Sequence, residues 1–215
     1  MNVRFTVGAM ARVSQAHLDA RRRQIIEAAS RCFARNGFHA TSMQDVLREA
    51  ELSAGAVYRY FPSKDALVAA IAERAFAAIR AAYEDAASAT PPPMPDELLG
   101  RVLGRVLVDT VPGADAGTFA RLVVQVWTET LRNDLLGDTL REGYGAMRRV
   151  WADLVRAYRE AGMLDSDVDP DDMARTLIAA AQGFIAQQAL FGDVRVEGLQ
   201  AGLRGLMSMR DPQAG

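Results

Sequence analysis

Apolar residues recur at helical spacing through almost the whole chain, and no segment alternates apolar and polar between turn dipeptides as a half-buried strand would. That pattern predicts an all-α molecule of about nine helices. The first is expected over Arg21 to Arg35, with Ile25, Ile26, Ala29, Cys32 and Phe33 on one face and Gly37 at the left-handed position after its end. Thr41 is read as the N-cap of a second, two-turn helix, with Gln44 at capping-box spacing and Val46, Leu47 and Ala50 facing inward. Ser53 caps a short helix from Ala54 to Tyr60, closed by Phe61-Pro62, and Ser63 caps a long one from Lys64 to about Ala86. The proline-rich run Ser88 to Pro95 reads as a stiff connector. Five helices are expected beyond it, over about Asp96 to Asp109 (ended by Val111-Pro112-Gly113), Ala116 to Leu131, Leu135 to Ala161 (stopped by Gly162), Asp171 to Phe191 and Val194 to Met209. Residues 1–20 are read as a flexible arm, in which Met10 is a second candidate start, and the last six residues are expected to fray.

Within this helical chain, residues 43–62 have the dimensions of a helix-turn-helix: two short helices, a three-residue turn, and a second helix rich in small and hydroxylated side chains. Packing Val46, Leu47, Leu52 and Val57 inward turns Ala54, Gly55, Tyr58, Arg59 and Tyr60 outward. In such a unit the second helix enters the major groove, where small residues permit close approach and phenols and a guanidinium supply donors. The helix starts at Thr41-Ser42 and Ser53, and Lys64, the only lysine, at the start of the next helix, are candidate phosphate contacts. An ordinary capped helical hairpin remains an alternative on spacing alone.

Charge sharpens the choice. The 215 residues sum to a formal charge of −2. Residues 1–80, however, hold twelve basic against seven acidic side chains, and the remainder thirteen against twenty. That asymmetry suggests a basic module suited to a polyanion joined to an acidic module with another task, although short windows of any protein fluctuate by a few charges and charge alone decides nothing.

The run from Ala28 to Phe76, with Phe33-Ala34-Arg35-Asn36-Gly37-Phe38, Ala40-Thr41-Ser42, Asp45-Val46 and above all Ser53 to Leu67 (SAGAVYRYFPSKDAL), closely resembles the DNA-binding domain of the TetR family of bacterial transcriptional regulators. The resemblance covers under a quarter of the chain strongly; the acidic remainder is similar in length and helix rhythm to the family's ligand-binding and dimerisation domain. It implies three parts: an arm (1–20), a three-helix DNA-binding domain (21–80) and a helical ligand-binding and dimerisation domain (81–215). It also implies a cytoplasmic homodimer that reads a palindromic operator, usually as a repressor released by a small-molecule effector; an activator of the same fold is the alternative. By position, the family's DNA contacts fall on Thr41, Ser42, Ser53, Ala54, Gly55, Tyr58, Arg59, Tyr60 and Lys64. One departure stands out, because many members have glycine in the turn where this chain has Glu51.

The family arrangement would set Trp127, Tyr144, Met147 and Trp151 around a cavity, with Gln125, Glu129 and Gln182 as polar contacts; a plain helical core accounts equally well for the aromatics. The small-faced penultimate helix, with Ala179, Gly183, Ala186 and Leu190, and the last helix, with Leu199, Leu203 and Leu206, suit a four-helix dimer interface, though such residues also serve intramolecular packing. An enzyme is disfavoured: His17 and His39 stand in no metal spacing, and there is neither a Gly-rich phosphate loop nor a nucleophile elbow. No metal or cofactor is expected. The single Cys32 closes no intramolecular disulfide and no apolar run approaches the length of a membrane span, so secretion and membrane insertion are not expected either.

Overall fold

The computed structural model describes residues 7–87, 89–109, 115–164 and 167–209. Among the described residues it contains nine helices and no strand: α1 (Val7–Asn36), α2 (Met43–Ala50), α3 (Ala54–Tyr58), α4 (Lys64–Ala87), α5 (Pro95–Asp109), α6 (Ala116–Glu129), α7 (Asp134–Glu160), α8 (Pro170–Leu190) and α9 (Val196–Met207). The expectation of an all-α chain is met. The first helix begins earlier than the expected Arg21: α1 starts at Val7 and takes in residues 7–20 of the stretch read as an arm. The segment from Ala9 to Arg23 holds alanines, glutamine and arginines and no proline, so nothing in it breaks a helix. The expected stop at Val111-Pro112-Gly113 and the fraying tail at 210–215 lie outside the described residues.

α1 to α4 close around one apolar knot. Ile25, Ile26, Ala29, Cys32 and Phe33 of α1 meet Val46 and Leu47 of α2, Val57 of α3, and Phe61, Leu67 and Val68, all buried. α4 then runs on into the second half, where it packs along α7, while α7 and α6 pack on α8 and α5 packs on α9. One contiguous core spans both halves.

The first turn of α2 corrects the cap assignment. Ser42, not Thr41, is the N-cap: its Oγ accepts from the Asp45 N–H (3.2 Å), and the Asp45 carboxylate accepts from the Ser42 N–H (2.9 Å), a reciprocal capping box one residue later than expected. Thr41 is 1% exposed, and its hydroxyl donates to backbone carbonyls, that of Gly37 at 2.8 Å and that of Cys32 at 3.2 Å. α2 is tied to α1 through Glu49, which takes the Arg31 Nε at 2.7 Å and the Arg35 Nη2 at 2.6 Å. Those two guanidiniums, Arg35 first, pull the Glu49 carboxyl from its ordinary 4.5 down to about 2. A carboxyl depressed on folding contributes stability that is present above pH 4.5 and lost as pH falls towards 2. Glu49→Gln should therefore be less stable at pH 6 and show a shallower loss between pH 4.5 and 2, read by urea titration at stepped pH.

At its other end α2 stops on Glu51, the one non-glycine residue with positive φ among those described (φ 56°, ψ 39°). An L residue there is strained by roughly 1 kcal/mol, which glycine escapes. Glu51→Gly should stabilise the fold by up to about 1 kcal/mol, less what the more flexible unfolded chain recovers, and should keep or raise affinity for DNA. Clear weakening of DNA binding would give the carboxylate a positive role.

Candidate DNA-reading face and apolar cavity

The helix-turn-helix presents the side chains that its sequence spacing demands. With Val57 buried, Ala54, Gly55, Tyr58 and Arg59 are exposed; Tyr58 remains 45% accessible, and a side chain added at Gly55 would meet open space. α3 is shorter than expected: Arg59 is its C-cap and Tyr60 follows in the turn, half buried against the core, so Tyr60 is the least available of the set. Ser53 does cap α3, accepting from the Ala56 N–H at 3.3 Å. Ser42 is exposed at the start of α2, with its hydroxyl engaged by Asp45. Gln44 and Arg48, exposed on α2, were missed by the sequence reading although they are polar residues on the face opposite Val46 and Leu47.

Two of the expected phosphate contacts sit differently. Besides the buried Thr41, Lys64 is half-buried and aims its ammonium inward, donating to the carbonyls of Phe38 (2.9 Å) and Thr41 (3.2 Å) and lying 4.3 Å from the Phe38 ring centroid. It clips the segment between α1 and α2 onto α4. Lys64→Ala should lower stability by about 1–3 kcal/mol, since hydrogen bonds from a charged donor are lost. A melting curve would show this directly, before any DNA is added.

The same segment is where the two halves meet. Gln125 of α6 accepts from the Phe38 N–H through its Oε1 at 2.8 Å, and the Glu129 carboxylate lies 3.4 Å from the His39 imidazole. Gly37 makes this approach possible: its φ is +81°, and a Cβ there would come within 3.2 Å of the Gln125 oxygen. Gln125 and Glu129, read as candidate ligand contacts, are therefore turned away from the cavity and towards the helix-turn-helix.

The cavity lies on the other side of α6. Helices α4, α5, α6, α7 and α8 line an apolar hollow whose wall contains no charged side chain. Trp127, Tyr144, Met147 and Gln182 line it as expected. Burial pushes the Tyr144 phenol upward, an effect moderated by the neighbouring Gln182 and Trp127, and the ring meets Phe76 edge-on at 5.3 Å. Trp151 does not line it. That side chain is wholly buried beside Tyr83, ring centroids 4.7 Å apart, and its indole N–H has no aligned acceptor; it is a core residue.

The expected interface residues divide. Leu199 and Leu203 pack against the chain's own core, whereas Ala179, Leu190 and Leu206 are exposed and Gly183 and Ala186 partly so. Phe191, Met207 and Met209 add to the exposed apolar surface at the end of α8 and along α9, a helix with no buried residue. Arg204 fastens α9 to the buried Asp96 of α5 through its Nε at 3.1 Å and Nη2 at 2.7 Å. Among the described residues no cluster of potential ligands could hold a metal ion, and no helix is long and apolar enough to cross a membrane.

Two family models match this architecture: bacterial regulatory proteins, tetR family, over residues 25–82, and BetI-type transcriptional repressor, C-terminal, over residues 95–206, the second alone spanning more than half of the chain. The chain is 25% identical over 199 residues to the HTH-type transcriptional regulator UidR of Escherichia coli (strain K12), covering 90% of this chain and 94% of that one. Among solved structures it is similar to Salmonella enterica GusR (27% identity, TM-score 0.64, 88% of this chain and 96% of that one). It is also similar to a protein described as the molecular basis for control of antibiotic production by bacterial hormones (29% identity, TM-score 0.68, 86% and 94%).

Proposed function

The chain belongs to the TetR family of bacterial transcriptional regulators, with a helix-turn-helix for binding DNA, and from that premise we propose that it is a homodimeric repressor whose operator is released when a small molecule fills the cavity. α6 is the observation that carries this reading. Val123, Val126 and Trp127 face the hollow, while Gln125 and Glu129 on the same helix hold Phe38 and His39. A molecule that wedges against Trp127 displaces the helix that positions the segment leading into α2. Differential affinity for the two placements of α6 is then what couples effector to operator. The exposed apolar end of α8 and the exposed large hydrophobics of α9 support dimerisation, because large apolar side chains left in solvent on helices suit an association site. Two copies set two α3 helices against the half-sites of a palindrome. The name of one family model, a transcriptional repressor, favours repression over activation.

Selection of bound sequences from random DNA by the purified chain tests the reading. Recovery of a palindrome, with affinity falling linearly in log salt, is the expected result. Absence of any enriched sequence, or of a two-fold symmetric one, would overturn it.

A further inference from the structure

The apolar hollow has a second, broader one beside it between α6, α7 and α8, and the two share Trp127, Tyr144 and Gln182 in their walls. Their chemistry differs sharply. The inner wall is uncharged, whereas the outer wall carries Arg141, Arg148 and Arg175 and no carboxylate. Each arginine has an acidic partner: Asp138 pairs with Arg141, with Asp134 also acting on it, and Asp171 serves both Arg148 (3.0 Å) and Arg175 (3.2 Å). The Arg148 Nε, although close to Asp171, is buried and makes no aligned hydrogen bond.

We infer that the effector is an anionic amphiphile, with an apolar body in the inner hollow, its neck beside Tyr144 and Gln182, and a carboxylate or phosphate head among Arg141, Arg148 and Arg175. This rests on the reading of the hollow as the effector site. An ionised head does not enter the inner hollow, where nothing replaces its hydration. A cationic head would meet the guanidiniums in that wall, and a neutral one makes less of their charged donors. A planar oxyanion instead meets guanidinium forks, whose paired donors suit carboxylate and phosphate oxygens.

The test measures binding of matched dodecyl and naphthyl compounds bearing a carboxylate, a phosphate, a hydroxyl or an ammonium group to the purified full chain, below their aggregation concentrations. Calorimetry gives the affinity and quenching of tryptophan fluorescence places the body near Trp127. The carboxylate or the phosphate should bind about tenfold or more tighter than the alcohol, with the ammonium compound weakest; whichever acid binds tighter identifies the head. In Arg141→Gln/Arg175→Gln the acid-to-alcohol ratio should fall close to one while the alcohol affinity moves less than about twofold. If that pair fails to fold, Arg175→Gln alone, a well-exposed position, should lower the same ratio. An alcohol that binds as tightly as the acids, or a ratio unaltered by the arginine changes, would overturn the inference. If such an alcohol still releases DNA, the effector-site reading survives. If no compound binds, or if bound compounds leave the DNA affinity unaltered, the effector-site reading itself falls, and the inference with it.

Discussion

Arg59→Ala should lower affinity for the selected operator by roughly 2–6 kcal/mol, because a guanidinium contact to base edges contributes about 1–3 kcal/mol and a dimer loses two of them. The guanidinium is exposed at the C-cap of α3, beside Tyr58, and no backbone hydrogen bond depends on its side chain. Stability should therefore stay near that of the parent. The loss should concentrate on one or two base pairs in each half-site, so that non-specific affinity for random duplex changes far less than affinity for the operator. Competition binding with single-base operator variants reads this out. A uniform loss across all sequences would instead make Arg59 a phosphate contact and pass the reading of bases to Tyr58 and the small residues before it. Arg48→Ala on α2 is the natural control, since an exposed arginine on the first helix of the pair faces the DNA backbone and its removal should weaken all sequences alike.

The second large effect concerns the other half of the molecule. Trp151→Ala should destabilise the fold by about 3–5 kcal/mol, the usual cost of emptying a large buried aromatic site, and for a chain of this length that lowers the midpoint by roughly 6–20 °C. The indole is wholly buried and packs edge-on against Tyr83, which itself lines the cavity. Trp127→Ala makes the informative comparison. That side chain is only partly buried and already borders empty space. Its removal should cost less than half as much, while reducing the fluorescence response to any compound that enters the hollow to what Trp151, behind Tyr83, still reports. Equal losses at the two positions would mean that the hollow is as tightly packed as the core, and that no effector fits there.

How much of this was legible in the sequence follows from the range over which each signal acts. The helix-turn-helix was legible because its determinants are local: Ser53, the buried Val57 and the Phe61-Pro62 stop fix α3 without help from distant residues. The cap of α2 was misplaced by one position because Thr41 and Ser42 are adjacent hydroxyls. The decision fell to the carboxylate of Asp45, which reaches back to the Ser42 N–H more effectively than Gln44 reaches to Thr41. Lys64 was read as outward-facing because a lysine at a helix start usually is, and only the folded chain shows the two carbonyls it meets. In the second half, the family resemblance set Trp127, Tyr144, Met147 and Gln182 around a cavity and the four do line the hollow, but the helix period does not say what lies opposite each face. Gln125 and Glu129 are four residues apart and share a face, yet the partner of that face is a loop some ninety residues earlier in the chain. Trp151 lies one turn beyond Met147 on α7 and is sealed by depth along the helix rather than by a change of face. The arginines at the cavity mouth read as solvated surface charge, since nothing in their spacing marks a shared rim.

The two-faced character of α6 has a consequence for what this chain tolerates as it diverges. Adding or deleting a single residue inside a helix rotates everything beyond it by about 100°. Between Val123 and Gln125 such a change would take Trp127 out of the hollow and Gln125 off Phe38 in one step. Substitutions at outward positions such as Thr128 leave both engagements in place. The length of this stretch is thus held by two partners at once, in different halves of the molecule, and a regulator built this way can change its ligand or its target sequence by point mutation far more readily than it can accept an insertion here.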